Sequence, residues 1–272
     1  MSSPPSSPAA PARAALRQSL SLPHLVRGPV AALPDGGRAP LLVLLHGLGS
    51  TEHGLFAARH HLAPEFVVVA PRGPVAVGDQ LDSFTGTRFG ARARGWFHMR
   101  DLPGGGRTPV EDEVHAARSH VARFAREAAE AYDADPARVL VAGFSQGAMT
   151  ALAALLTAPD VFAGAAALAG RLLPEVVPHI AAPESLVGKT VLVAHGTGDP
   201  RVPVDEARRA REALERLPVA LTYAEVPART HAVTGELRRH LAAWAAAAVG
   251  VEDREARAVS PAPSLSAPST AP

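Results

Sequence analysis

The sequence predicts an α/β fold: a mostly parallel central sheet with helices on both faces. Three observations predict it. Short apolar runs alternate along the chain with segments of helical period, which is the order of elements in a wound sheet. The runs are continuous rather than alternating, as in Leu41–Leu45 and Val139–Ala142, so each strand is buried on both faces. One such run leads through Gly143-Phe144-Ser145-Gln146-Gly147 directly into an Ala-rich helical stretch, Ala148 to Leu156. That is strand, sharp turn and helix with a serine at the apex. The flanking glycines have a steric job, because a Cβ two residues before or after the serine would collide with the strand or the helix.

In chain order, residues 1–17 are rich in Ser, Pro and Ala without periodicity and read as a disordered tail. Ser19 to Val26 is a short edge strand, and Asp35-Gly36-Gly37 is a turn. Leu41–Leu45 is a central strand ended by His46-Gly47-Leu48-Gly49-Ser50, and a short helix covers 53–62. Phe66 to Ala70 is the next buried strand, stopped at Pro71-Arg72-Gly73-Pro74. Residues 75–107 form a long excursion carrying Phe84, Phe89, Trp96 and Phe97; loops of that length in compact domains tend to be functional or disordered, and these aromatic residues could also be plain core filling. Thr108-Pro109-Val110-Glu111 reads as a helix start, with Thr108 as N-cap and Pro109 at the first helical position. Val114, Ala117, Val121, Phe124, Ala128 and Tyr132 then share one helical face. Asp135-Pro136 breaks the chain before the strand at 139. Further strands are expected over Phe162–Ala169, Thr190–Ala194 and Ala220–Val226, with helices over Val204–Leu217 and 233–248. Residues 170–188 are a second, Pro-rich excursion, and 251–272 a second disordered tail. The domain between the tails spans 18–250.

Composition narrows the function. The chain has 272 residues and a net charge of +1, so nothing electrostatic argues for a nucleic-acid or membrane partner. It has no cysteine, which removes disulfides, thiolate catalysis and zinc-thiolate sites together and fits a reducing compartment. No apolar run is long enough to span a bilayer, and the first residues lack the apolar core of a signal peptide. The expected location is cytoplasmic, without a stable membrane anchor. A homodimer is left open.

A serine hydroxyl is a poor nucleophile at neutral pH; it needs an adjacent base, and the base an orienting carboxylate. Ser145, Asp199 and His231 supply the three in hydrolase order, each in a loop just after an expected strand. His231 would take the Ser145 proton and later protonate the leaving group, while Asp199 fixes its tautomer. The oxyanion would be met by backbone N–H groups of Gln146 and Leu48. Bland alternatives exist for each residue. Ser145 could be only an N-cap and Asp199 only a turn residue beside Pro200; Asp205 and Glu206 are less well placed, inside the following helix. His195 and His240 compete with His231, but His195 sits four residues before Asp199 and reads as its buttress, and His46 reads as a brace for the oxyanion loop. His60-His61 does not make a metal site, since helix neighbours point apart. Arg88, Arg92, Arg94, Arg100 and Arg107 read as solvated surface.

At these residues the chain resembles the phospholipase/carboxylesterase family of α/β-hydrolases, the group that includes acyl-protein thioesterases and small bacterial carboxylesterases. The likeness covers about residues 38–248. Leu45-His46-Gly47-Leu48-Gly49 is similar to the family's L-H-G-L-G segment, and Ala70-Pro71-Arg72-Gly73-Pro74 to its A-P-R-G-P turn. Gly95-Trp96-Phe97 resembles its W-F-D segment near the acyl groove. Asp135-Pro136 with Arg138 and then Ala142 through Gly147 is similar to D-P-x-R…A-G-F-S-Q-G, the most specific of the set. Gly170-Arg171-Leu172-Leu173-Pro174 and His195-Gly196…Asp199…Val202-Pro203 resemble later segments. The resemblance implies the α/β-hydrolase fold, no cofactor and no metal, the triad Ser145–Asp199–His231, and a small-molecule ester substrate contacted by Trp96 and Phe97. Two positions depart from the pattern: His98 stands where the family has aspartate, and Arg229-Thr230 where glycine usually precedes the histidine. Both bear on substrate preference. The expected activity is hydrolysis of carboxylic esters, thioesters or lysophospholipids through an acyl-enzyme, with the two excursions walling an apolar acyl site. A peptidase or amidase, and a catalytically silent binding protein, are the alternatives on this fold.

Overall fold

The computed structural model describes residues 15–78, 81–82, 88–103 and 106–251. In chain order its elements are β1 (His24–Arg27), β2 (Leu41–Leu45), the helical turn α1 (His53–Phe56), β3 (Val67–Pro71), β4 (Val75–Ala76), β5 (Arg94–Gly95), β6 (Met99–Asp101), β7 (Arg107–Pro109), α2 (Glu111–Ala131), β8 (Val139–Phe144), α3 (Gln146–Thr157), β9 (Gly164–Leu168), the short α4 (Pro183–Leu186), β10 (Thr190–Gly196), α5 (Val204–Leu214), β11 (Ala220–Val226) and α6 (Gly235–Val249). Seven strands form one sheet in the order β1-β3-β2-β8-β9-β10-β11. Only β1 runs antiparallel, against β3; the other pairs are parallel.

Side chains alternate along each strand, so the sheet separates two cores. Leu41, Val43, Leu45, Val139 and Val141 pack against α2, α3 and α5, while Leu42, Leu44, Leu140 and Ala142 pack against α1 and α6. Helix α3 is buried along nearly its whole length, from Gln146 to Leu156. Its alanines let it lie close to the sheet beneath α2, whose buried stripe is the one expected from Val114 to Ala128. Helix α6 is capped at both ends: Thr234 Oγ1 accepts from Leu237 N–H at 3.3 Å, and Gly250 closes it with φ 70°.

Several expectations are corrected. Helix α2 begins at Glu111, not at Pro109, and its N-cap is Val110 without a side-chain bond. Thr108 and Pro109 belong instead to β7, which pairs antiparallel with β6. Three acidic residues, Glu111, Asp112 and Glu113, fill the first turn in place of a cap and favour the positive end of the helix dipole. Arg17, assigned above to the tail, exchanges backbone hydrogen bonds with His24 at 2.8 and 2.9 Å and is part of the fold. The rest of the expected tails, 1–14 and 252–272, and Phe84 lie outside the described residues. No helix among the described residues is long and apolar enough to cross a membrane.

Candidate active site

The serine at the apex of the elbow holds φ 55° and ψ −117°, a backbone region that costs a non-glycine residue about 1–3 kcal/mol. Its surroundings fix it there. Ser145 N–H donates to Leu168 O at 2.9 Å, and Ser145 O accepts from Ala148 N–H at 3.0 Å. The two glycines of the motif carry the steric role expected of them. A Cβ at Gly143 would lie 2.0 Å from Gly147 O, and one at Gly147 would lie 2.2 Å from Leu45 O. The strand, the turn and the helix meet too closely for any side chain at those two positions.

Ser145 follows β8, Asp199 follows β10 and His231 follows β11, so all three stand at the carboxyl ends of parallel strands. The structure brings them together. His231 Nε2 lies 2.9 Å from Ser145 Oγ, and His231 Nδ1 lies 2.7 Å from Asp199 Oδ2. The other carboxylate oxygen accepts the N–H groups of Arg201 at 2.8 Å and Val202 at 3.0 Å. Burial alone would push the Asp199 carboxyl up; the hydrogen bonds from His231, Val202 and Arg201 outweigh it and hold the group below its ordinary value. Asp199 is therefore a carboxylate, and the His231 proton on Nδ1 is fixed toward it. Phe144 packs on the imidazole with ring centroids 4.8 Å apart. His195 is fully buried and donates Nε2–H to Val202 O at 2.8 Å, so it braces the loop that carries Asp199. His240 stands within α6 and is not among the residues that line the cleft.

Gln146 is the first residue of α3, so its backbone N–H has no acceptor within the helix. Leu48 and Gln146 line the same cleft. The loop carrying Leu48 is braced by His46, whose Nδ1–H donates to Gly47 O at 2.8 Å while its Nε2 accepts Gly73 N–H at 3.0 Å. Desolvation is the main cause that drives the His46 imidazole down to about 4 from 6.5. Between these values the unfolded chain holds a proton that the folded chain refuses, so stability falls as pH drops through that window. The full penalty is roughly 3 kcal/mol, most of it reached by pH 4.5. Urea unfolding at pH 7 and pH 4.5 should show a larger loss in the wild type than in His46→Gln; equal losses would contradict this role.

Trp96 and Phe97 are not where the resemblance placed them. Both side chains are fully buried in the core on the α2 side and do not line the cleft. Trp96 Nε1–H donates to His46 O at 2.8 Å, so the indole supports the loop that follows β2. The Gln146 side chain ties the same segment down: its Oε1 accepts Trp96 N–H at 2.8 Å and its Nε2 donates to Phe97 O at 2.7 Å. Sequence reasoning missed this clamp, although an uncharged polar residue opening an otherwise apolar helix was its signal. His98 turns away from the cleft to Glu113, donating from its backbone N–H at 2.6 Å and from Nδ1–H at 2.9 Å.

The cleft over Ser145 has a volume of about 690 Å³. Its apolar wall includes Leu48, Phe89, Met99, Met149 and Val233. Of the two excursions, the first supplies Phe89, Met99 and Arg107, but the second supplies only Arg171 among the described residues; the loop from Pro200 to Pro203 forms the rest of that side. One group among the described residues could hold a metal ion: Glu111, His115 and His179, with ligand atoms within 4.8 Å of one another. None of the three lines the cleft.

A serine on a strained strand-to-helix turn, facing histidine and aspartate at the ends of later parallel strands, defines the α/β-hydrolase class. The comparisons place the chain within it. The family model of phospholipases and carboxylesterases matches residues 28–243, and the chain belongs to that family. A probable carboxylesterase of Oryza sativa subsp. japonica is 27% identical over 232 residues, covering 81% of this chain and 82% of that protein. Acyl-protein thioesterase 1 of Gibberella zeae is 26% identical over 205 residues, covering 72% and 84%. The crystal structure of the Bacillus cereus carboxylesterase superposes with a TM-score of 0.66 over 85% of this chain and 96% of that one; at 24% identity it shows the shared fold.

Proposed function

We propose that this chain hydrolyses carboxylic esters through an acyl-enzyme, with Ser145 as nucleophile, His231 as general base and acid, and Asp199 as the group that orients the imidazole. Ser145 Oγ attacks the ester carbonyl as His231 Nε2 takes its proton. The N–H groups of Gln146 and Leu48 hold the oxyanion. His231 then returns the proton to the departing alcohol, and water repeats the sequence to release the acid. The observation that carries this is the single imidazole ring set between a serine hydroxyl at 2.9 Å and a buried carboxylate at 2.7 Å. The acyl groups in view are short to medium in length; thioesters and lysophospholipids belong to the same proposal, the first supported by the name of the Gibberella zeae relative and the second by the family description. So does a single catalytic domain over 18–250, in the cytoplasm of the cell. Purified protein should turn over p-nitrophenyl butyrate and a butyryl thioester, and butyryl p-nitroanilide far more slowly. Anilide cleavage at or above the ester rate would make the chain an amidase instead.

A further inference from the structure

Four arginines line the cleft over Ser145: Arg107, Arg171, Arg201 and Arg238. Two of them are answered by carboxylates. Arg107 Nε lies 2.8 Å from Asp101, and Arg201 lies 3.1 Å from Asp82. Glu206, the other acid on the wall, is taken by Arg209 at 2.8 Å. Arg171 and Arg238 have no carboxylate partner among the described residues. Each holds only a backbone carbonyl, Arg171 that of Arg107 at 3.5 Å and Arg238 that of Val233 at 2.7 Å. In both, Nε is buried with no acceptor. Two guanidiniums on the lining of one cleft thus lack a counter-charge among the described residues, which favours an anion there.

Both arginines line the same cleft as Ser145. Arg171 follows Gly170, where a Cβ would lie 3.0 Å from Ser145 O. Arg238 stands in the first turns of α6, hydrogen-bonded to Val233, two residues beyond His231. A planar guanidinium recognises carboxylate and phosphate through paired N–H donors, and it gains most where water is excluded.

We propose that Arg171 and Arg238 form an anion subsite beside Ser145, so that the preferred substrate is an ester carrying a carboxylate or phosphate a few bonds from its carbonyl. That subsite presupposes the ester chemistry proposed above. The anion would pair with the guanidinium groups of the two arginines while the adjoining chain lies on Phe89, Met99 and Met149.

Two pairs of substrates test it and separate the sources of the anion. On the acyl side, p-nitrophenyl hemiglutarate is compared with p-nitrophenyl pentanoate; on the alcohol side, a monoacylglycerol phosphate with the same monoacylglycerol. In the wild type, the charged member of at least one pair should be favoured in kcat/KM by about tenfold or more, the worth of one charge-assisted hydrogen bond. The favoured pair tells which side of the ester bears the anion. In Arg171→Gln/Arg238→Gln that ratio should fall toward one. Turnover of the neutral esters with no preference in either pair would overturn the subsite and leave the hydrolase intact, as would a preference that survives the double substitution. No turnover of any of the four would sink the hydrolase and the subsite together. The wild-type ratios decide the matter even if the double variant does not fold.

Discussion

Ser145→Ala should lower kcat for p-nitrophenyl butyrate on the order of 10⁶-fold and leave the circular dichroism spectrum and thermal midpoint near those of the wild type. The hydroxyl makes one hydrogen bond, to His231, and its loss creates no cavity in the core. The strained backbone at 145 is held by Leu168 and α3, not by the side chain, so the elbow survives the change. Asp199→Asn should cost less, on the order of 10⁴-fold, by presenting the wrong face of an amide to His231 Nδ1. The pair should not be additive, because the residues act as one unit. Stopped assays on the two single variants and the double variant check all three statements. A Ser145→Ala enzyme with more than a few per cent of wild-type activity would mean that the hydrolytic nucleophile lies elsewhere.

Gly143→Ala should have the largest effect on the fold. The new methyl would sit 2.0 Å from Gly147 O and 2.1 Å from its carbonyl carbon, and both are backbone atoms that cannot rotate aside. To accept it, β8 must separate from α3, the most buried helix of the domain. Overpacking of this severity costs about 3 kcal/mol or more. Urea unfolding should show that loss, or the chain should fail to accumulate in soluble form. Gly90→Ala, where a Cβ meets nothing within 4 Å, serves as the control and should stay near wild type. Equal stability of the two variants would contradict the packing described at the elbow.

The sheet, and the meeting of Ser145, His231 and Asp199 at one edge of it, were legible in the sequence because both rest on local signals. Leu41–Leu45 and Ala220–Val226 occur as strands over the ranges their apolar runs suggested. The elbow announces its serine through glycines that only a strand-to-helix turn requires. The chain order Ser, Asp, His then picks out residues that a parallel sheet must deliver to one edge. What failed depends on partners distant in sequence. Thr108-Pro109 has the pattern of a helix start, but β6 captures it as a strand partner. Trp96 and Phe97 lie in an excursion that a sequence reader would aim at the substrate; whether such rings face cleft or core is decided by Gln146 and His46, some fifty residues away. Arg171 and Arg238 gain meaning only when folding brings them to one cleft.

The relay from Asp199 through His231 to Ser145 is tested most directly by labelling the intact protein with a fluorophosphonate and locating the adduct by peptide mass spectrometry. One adduct is expected, on Ser145, formed rapidly in the wild type and at a rate lower by orders of magnitude in His231→Ala. No adduct at Ser145, or labelling there that proceeds as fast without the imidazole, would contradict it.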